Sequence, residues 1–267
     1  VRAGLDVEGG AAGAILGLLA LDSAVESEAA VTSAAACGRH LLEARRPGPD
    51  GGSSWPSRDG RMLAGFAHGA SGCALALARL WSRTGDDEFL EAAREALVFE
   101  DTLFDPGLEN WPVAGTGSPV TAHDQVSFTA WCHGAPGIAL ARASIVETTG
   151  EHLVDGRLEA AIRTTRQRRI SGAVNLCCGI FGGLDALMTV GQILERPELQ
   201  RDAEERTAMA IRVAAGSGAL RLGQGSGFSR PGFFRGLAGI GYQLLRISEP
   251  GVHPSVLAFQ ARPRGAV

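Results

Sequence analysis

The chain alternates between two kinds of helical segment. Five runs are apolar almost all round and open on the same phrase, Gly-x-x-Gly: GAAGAILGLLAL from Gly10, GASGCALALARLW from Gly69, GAPGIALARASIV from Gly134, GIFGGLDALMTV from Gly179 and GLAGIGYQLLRI from Gly236. Successive repeats begin 59, 65, 45 and 57 residues apart. Between them lie charged, amphipathic stretches that predict helices over roughly 23–46, 86–104, 150–169 and 197–215. Asp86, Asp87 and Pro197 serve as start signals, because the first amides of a helix have no partner within it and a carboxylate or a proline suits that position. The period-two alternation of strands is nearly absent.

A helix that is apolar on every side must be buried, and one with a polar face lies outside it. Their alternation predicts helical hairpins in two layers, an inner ring wrapped by an outer ring: an all-α architecture of the α/α toroid type. All inner helices then run the same way, and their amino-terminal glycine loops gather at one end of the ring. Glycine there permits a tight turn or a close backbone approach.

Aligned on the first glycine, the two preceding positions hold Glu8-Gly9, Ala67-His68, Cys132-His133, Cys177-Cys178 and Phe234-Arg235. The candidate chemistry concentrates in these columns. Cys132 aligns with Cys177, and Cys178 adds a third thiol. Neighbouring residues of a regular element point apart, so Cys177 and Cys178 face one point only across an irregular turn, which Gly179 favours. Three thiolates with a fourth open position would form a zinc site of the catalytic kind. On the residues alone, buried free thiols are the favoured reading, and a strained vicinal disulfide a poorer one. Cys37 and Cys73 read as small core residues, and His40, His123, His152 and His253 as surface or capping residues.

Composition narrows the function classes. With 45% hydrophobic, 20% charged and 6% aromatic residues and a net charge of −4, the 267 residues describe a globular chain without a basic patch. Nucleic acid and anionic membrane surfaces are therefore not favoured partners. The longest apolar run, 11–21, stops at Asp22, short of the ~18 residues a spanning helix needs. Asp6 and Glu8 precede it, so it does not read as a secretory leader. Five cysteines in no even framework suit a reducing cytoplasm and thiols that are free or metal-bound. A glycosidase on a helical barrel would need two carboxylates facing each other across the bond. Only Asp6 and Glu8 lie at a repeat terminus, which argues against it.

GFAHGASG, WCHGAPGIALAR, NLCCG and GLAGIGYQLLR, in this order, closely resemble the repeats of the LanC-like lanthionine cyclases. NWP at Asn110–Pro112 and the ending PSVLAFQ resemble the cyclase domain of class II (LanM-type) lanthipeptide synthetases in particular. The resemblance implies an α/α toroid around one zinc held by two cysteines and a histidine. Carried over by position, Cys132 and Cys177 are the first two ligands. Cys178 stands where most members have histidine, in the Cys-Cys-Gly form of a class II subgroup. His68 matches the active-site histidine proposed as acid or base, and Asp6 an aspartate of the same site. His133 and Arg235 occupy variable positions and are secondary candidates.

The resemblance covers essentially the whole chain, so residues 1–267 read as a single cyclase domain with five of the family's seven helical hairpins. The first hairpins and the dehydratase domain that precedes the cyclase in class II enzymes are expected in a longer protein, as a start at Val1 also suggests. The implied activity is addition of a cysteine thiolate to dehydroalanine or dehydrobutyrine in a dehydrated, ribosomally made precursor peptide, with zinc the sole cofactor of this step. The alternative is a non-catalytic LanC-like protein that binds zinc and thiols or peptides.

Overall fold

The computed structural model describes residues 4–113, 128–151, 156–170, 172–216 and 231–261. Each Gly-x-x-Gly phrase opens an inner helix: α1 (Ala11–Val25), α3 (Ala70–Thr84), α5 (Ala135–Thr149), α7 (Ile180–Ile193) and α9 (Leu237–Ser248). The polar stretches form outer helices: α2 (Glu28–Ala44), α4 (Asp87–Thr102), α6 (Gly156–Gln167) and α8 (Pro197–Gly216). α3 lies between α1 and α5, and α7 between α5 and α9, while α2, α4, α6 and α8 back α1, α3, α5 and α7 in turn. Burial follows this order. Most residues of α3, α5 and α7 are buried, and α4 buries one face through Phe89, Leu90, Ala93, Ala96, Leu97 and Glu100. α1 and α9, at the two ends of the series, are only partly buried despite their apolar sequences, because each has an inner neighbour on one side alone among the described residues.

The start signals hold in detail. Asp86 caps α4, its Oδ1 accepting the Glu88 amide at 3.2 Å, and Pro197 opens α8. One expected outer helix begins later than the pattern suggests. Residue 23 still belongs to α1, and α2 starts at Glu28 behind a Ser27 cap whose hydroxyl accepts the Ala30 amide. Between α2 and α3 a short antiparallel pair, β1 (Arg46–Pro47) and β2 (Ser53–Ser54), folds the loop back on itself.

The Gly-x-x-Gly phrase has a single steric cause. A methyl built on the second glycine of any repeat would lie about 2 Å from the carbonyl oxygen three residues before the first: Gly13 on Val7, Gly72 on Phe66, Gly137 on Trp131, Gly182 on Leu176 and Gly239 on Phe233. Each loop therefore curls down onto the first turn of its own helix, and only a residue without a Cβ leaves room. That curl brings equivalent residues of successive repeats side by side. The Glu8 amide donates to the Ala67 carbonyl (3.2 Å), Ala67 to Cys132 (3.3 Å), Cys132 to Cys177 (3.4 Å) and Cys177 to Phe234 (2.9 Å). A chain of main-chain hydrogen bonds thus runs from loop to loop across one end of the ring.

After α9 the chain passes into the ring instead of forming an outer helix within the described residues. Ser255, Leu257 and Ala258 are buried. Arg79 of α3 donates to the Ala258 carbonyl (2.7 Å) and the Trp131 indole to that of Leu257 (3.3 Å), while the Ser255 hydroxyl donates to Asp185 of α7 (2.6 Å). PSVLAFQ is thus an internal strut. Asp185 also faces Arg246 of α9 at 3.0 Å, both side chains at most 2% exposed. Removing one member of such a pair leaves a buried charge, so Asp185→Ala is expected to lose about 3–5 kcal/mol in urea unfolding. Asp185→Leu combined with Arg246→Met is expected to recover most of it; a double variant as unstable as the single one would contradict this account.

Candidate active site

The loop end of the ring carries the predicted residues. Cys177, Cys178 and Gly179 lie in a non-helical bend ahead of α7. The bend is set by Asn175, whose Oδ1 accepts the amides of Cys178 (2.9 Å) and Gly179 (3.1 Å). Arg168 holds it from the other side, donating to the carbonyls of Cys178 and Gly179 at 2.9 Å each. Asn110 of NWP does the same for the preceding repeat: its Oδ1 accepts the Ala135 amide at 2.9 Å and so caps α5. Gly134 there takes φ +91°, a region that favours glycine. His68 sits on the loop before α3, anchored by the buried Glu100, which accepts the Gly65 amide (3.1 Å) and is paired with Arg142 (3.3 Å).

This folding brings three sulfurs together. Cys178 Sγ is 3.4 Å from Cys177 Sγ and 3.7 Å from Cys132 Sγ, and all three lie within 4.8 Å of one another. Sulfurs bound to one tetrahedral zinc at ~2.3 Å stand roughly 3.8 Å apart, so the donor set and its spacing fit that ion. Cys132 and Cys177 are buried and Cys178 is exposed, which leaves the triangle a solvent edge. The contacts with Cys132 and Cys177 lower the Cys178 thiol, helped by the positive charge of Arg235. Cys132, donating to Cys177 and Cys178 and buried, is pushed up.

His68 stands beside this cluster in a carboxylate clamp. Its Nδ1 is 2.9 Å from Asp6 Oδ2, and its Nε2 is 3.1 Å from Glu8 Oε2. Asp6 Oδ1 accepts the Gly9 amide at 3.0 Å, which orients the carboxylate. The hydrogen bond to Asp6 raises His68 above its ordinary value against the opposing effect of burial, and Glu8 adds to the rise. Burial works to raise Asp6, but its hydrogen bonds from His68 and Gly9 outweigh that and leave it lowered. His68 stacks on His133, with centroids 5.2 Å apart, so that positive charge on His68 opposes a proton on His133. His133 is driven down to about 4, first by burial and then by that charge, and is neutral at pH 7.

All five predicted site residues thus meet at one end of the ring, together with the secondary candidate His133, and the main chain joins the Cys177 loop to that of Phe234 and Arg235. Cys73 is buried in the core and Cys37 partly so, as expected. His40 is exposed and His253 contacts Tyr242 and Glu249, while His123 and His152 lie outside the described residues. Sequence reasoning missed Glu8 as a partner of His68, although it stands in the same aligned column as Cys132 and Cys177. Asn175 and Arg168 were missed as well. For Asn175 a signal existed, an Asx residue four positions before the helix-opening glycine-isoleucine step; for Arg168 none did.

Among the described residues no helix is long and apolar enough to cross a membrane. The fold is similar to that of nisin cyclase, with a TM-score of 0.70 over 96% of this chain and 66% of that one at 18% identity. The chain thus spans just under two thirds of that protein's length. A model of the lanthionine synthetase C-like proteins matches residues 2–258. With that match over nearly its full length and the toroid it builds, the chain belongs to the lanthionine synthetase C-like family.

Proposed function

We propose that this chain is the cyclase domain of a class II lanthipeptide synthetase, acting in the cytoplasm on a dehydrated precursor peptide made by the ribosome and linked in the full-length protein to a dehydratase domain. The observation that carries the reading is the convergence of three sulfurs with a carboxylate-clamped histidine at one end of the ring. Cys132, Cys177 and Cys178 would hold zinc, which when bound acidifies a peptide thiol and presents it as a thiolate at neutral pH.

The remaining work falls to the chain's own side chains. The peptide sulfur bonds to the β-carbon of dehydroalanine or dehydrobutyrine, and the π electrons move to the α-carbon and its carbonyl as an enolate. His68, protonated between Asp6 and Glu8, delivers its Nε2 proton to the α-carbon and closes the thioether; the proton released by the thiol restores it. Neutral His133 packs against one face of that imidazole and limits its rotation. The clamp favours catalysis over the non-catalytic alternative, since a protein that only presents thiols has no use for a proton donor.

A synthetic peptide with one dehydroalanine and one cysteine tests the reading. Incubation with the protein and zinc should abolish the alkylatable thiol with no change in mass; a thiol that stays alkylatable with zinc bound favours the binding role. His68→Ala should keep zinc and slow ring closure by about 10²–10⁴-fold. The donor form exists below the raised pKa of His68, so the rate should fall as pH rises through that value. Asp6→Asn removes the main cause of the rise and should move this alkaline limb to lower pH. An unmoved limb would take His68 out of the role of donor.

A further inference from the structure

The sulfur cluster and the clamped histidine share a wall with a void. A cavity of about 640 Å³ lies beside them, between the start of α1 and the loop ahead of α9. Cys177 and Glu8 both line it, so it adjoins the sulfur half of the site and the proton-donor half. The rest of its lining is chiefly apolar, led by Trp131, Phe233, Phe234 and Phe259. Two of these rings are tied to the cluster through the main chain: Trp131 directly precedes Cys132, and the Phe234 carbonyl accepts the Cys177 amide at 2.9 Å. The Trp131 and Phe234 rings stack with centroids 5.4 Å apart, and Phe233 meets Phe234 edge-on at 5.7 Å. Phe234 nonetheless stays 39% exposed. Phe259 is held at φ +52°, a region unfavourable for an aromatic residue, so its place in the wall is imposed by its surroundings. A void of this size, mostly apolar with a few polar groups at one side, has the make-up of a ligand pocket.

We infer that this cavity is the specificity pocket of the site, and that it takes a bulky apolar side chain from the peptide residue next to the cysteine that docks on the cluster. The inference rests on the cyclase reading of the site. A peptide whose sulfur reaches the cluster at Cys177 places its neighbouring residues against the same wall, because consecutive Cα atoms are only ~3.8 Å apart. An apolar side chain there leaves water and covers the exposed face of Phe234. A carboxylate or ammonium would lose its hydration against rings that offer it no hydrogen bond, since the Trp131 indole already donates to Leu257. The substrate class is therefore a dehydrated peptide with Phe, Trp, Leu or Ile beside its ring-forming cysteine.

Binding of unreactive peptides, with alanine in place of the dehydro residue and the cysteine kept, tests this apart from turnover. With zinc supplied, a peptide with Phe beside the cysteine should bind about tenfold tighter than its Gly counterpart, the transfer value of a buried ring less the entropy of ordering the peptide. A peptide with Asp there should bind no better than the Gly one. Phe234→Ala should cut the preference to about twofold and leave the Gly peptide and the zinc content unchanged. Val256→Phe, which fills the cavity from the PSVLAFQ side, should weaken the Phe peptide alone. Equal affinity for the Phe and Gly peptides in the wild type would mean that something other than the substrate covers these rings, and would overturn the inference. Equal losses for both peptides in Phe234→Ala would make that ring a packing residue and overturn it too. A preference that holds while the matching dehydroalanine peptides keep an alkylatable thiol would leave the pocket standing and overturn the cyclase reading instead.

Discussion

Cys132→Ala should abolish both zinc retention and ring formation while leaving the protein folded. Cys132 is the sulfur that joins two repeats: its amide donates to the Cys177 carbonyl and its thiol reaches Cys178 across 3.7 Å. The hydrogen bond belongs to the main chain and survives the substitution, so the loops stay in register. The side chain is small, and its loss leaves a cavity beside a solvent-facing edge where water can enter, a modest stability change of about 1 kcal/mol. The metal effect is far larger. Outer partners of metal ligands are worth roughly 10–100-fold in affinity, and a ligand itself exceeds that. Zinc content measured by mass spectrometry after dialysis should drop to background. Cys73→Ala is the matched control: Cys73 is buried, its thiol near the Leu5 carbonyl at 3.7 Å and away from the cluster, so that variant should keep its zinc. Full zinc content in Cys132→Ala would remove this residue from the ligand set.

Gly182→Ala should strongly destabilise the protein. That methyl would stand 1.9 Å from the Leu176 carbonyl oxygen and 3.3 Å from the Trp131 Cβ. Neither neighbour is a flexible tip, so the backbone must move. Overpacking of this kind typically costs 1–3 kcal/mol, and about 3 kcal/mol is expected where both contacts are with main chain or its first carbon. The residue that moves is the one before Cys177, so zinc affinity should fall with stability. Gly17, exposed in the middle of α1 with nothing within 4 Å of an added methyl, provides the opposite case. Gly17→Ala should stabilise by about 0.5–1 kcal/mol, because alanine gives up less chain entropy in a helix. Parallel urea titrations of the two variants decide the matter. Similar midpoints would mean that the glycines are needed only as turn formers.

The contrast between these glycines shows where sequence reading stops. Gly17 and Gly182 both sit in apolar helices, and nothing local distinguishes them except the spacing of the repeat. The expectation that the glycines make tight turns or a close approach is right at the level of the motif; the carbonyl that occupies each missing Cβ becomes visible only in the folded loop. Helix starts behave similarly. Asp86 and Pro197 could be placed because a cap acts on the next few amides, whereas the start of α2 at Glu28 depends on Ser27 and on how far α1 runs before it, which packing decides.

Glu8 illustrates the same divide for the chemistry. As one of two carboxylates near a repeat terminus it counted mainly against a glycosidase, yet its carboxylate lies 3.1 Å from His68, sixty residues away in the chain. Asp6 reached its place through the family motif rather than through any local rule.

By itself the sequence determined the number and order of the glycine-led helices, their alternation with polar outer helices, and which columns of the repeat carry sulfur and imidazole. These depend on hydrophobic period and on residue identity at fixed offsets, which act over one or two turns of helix. Only the tertiary structure decided that Cys132, Cys177 and Cys178 converge to within 4.8 Å, that PSVLAFQ threads the ring, and that His68 is clamped on both nitrogens. Those outcomes depend on hydrogen bonds and contacts between segments 45 or more residues apart, which form only when the loops curl onto their own helices and join into one ring.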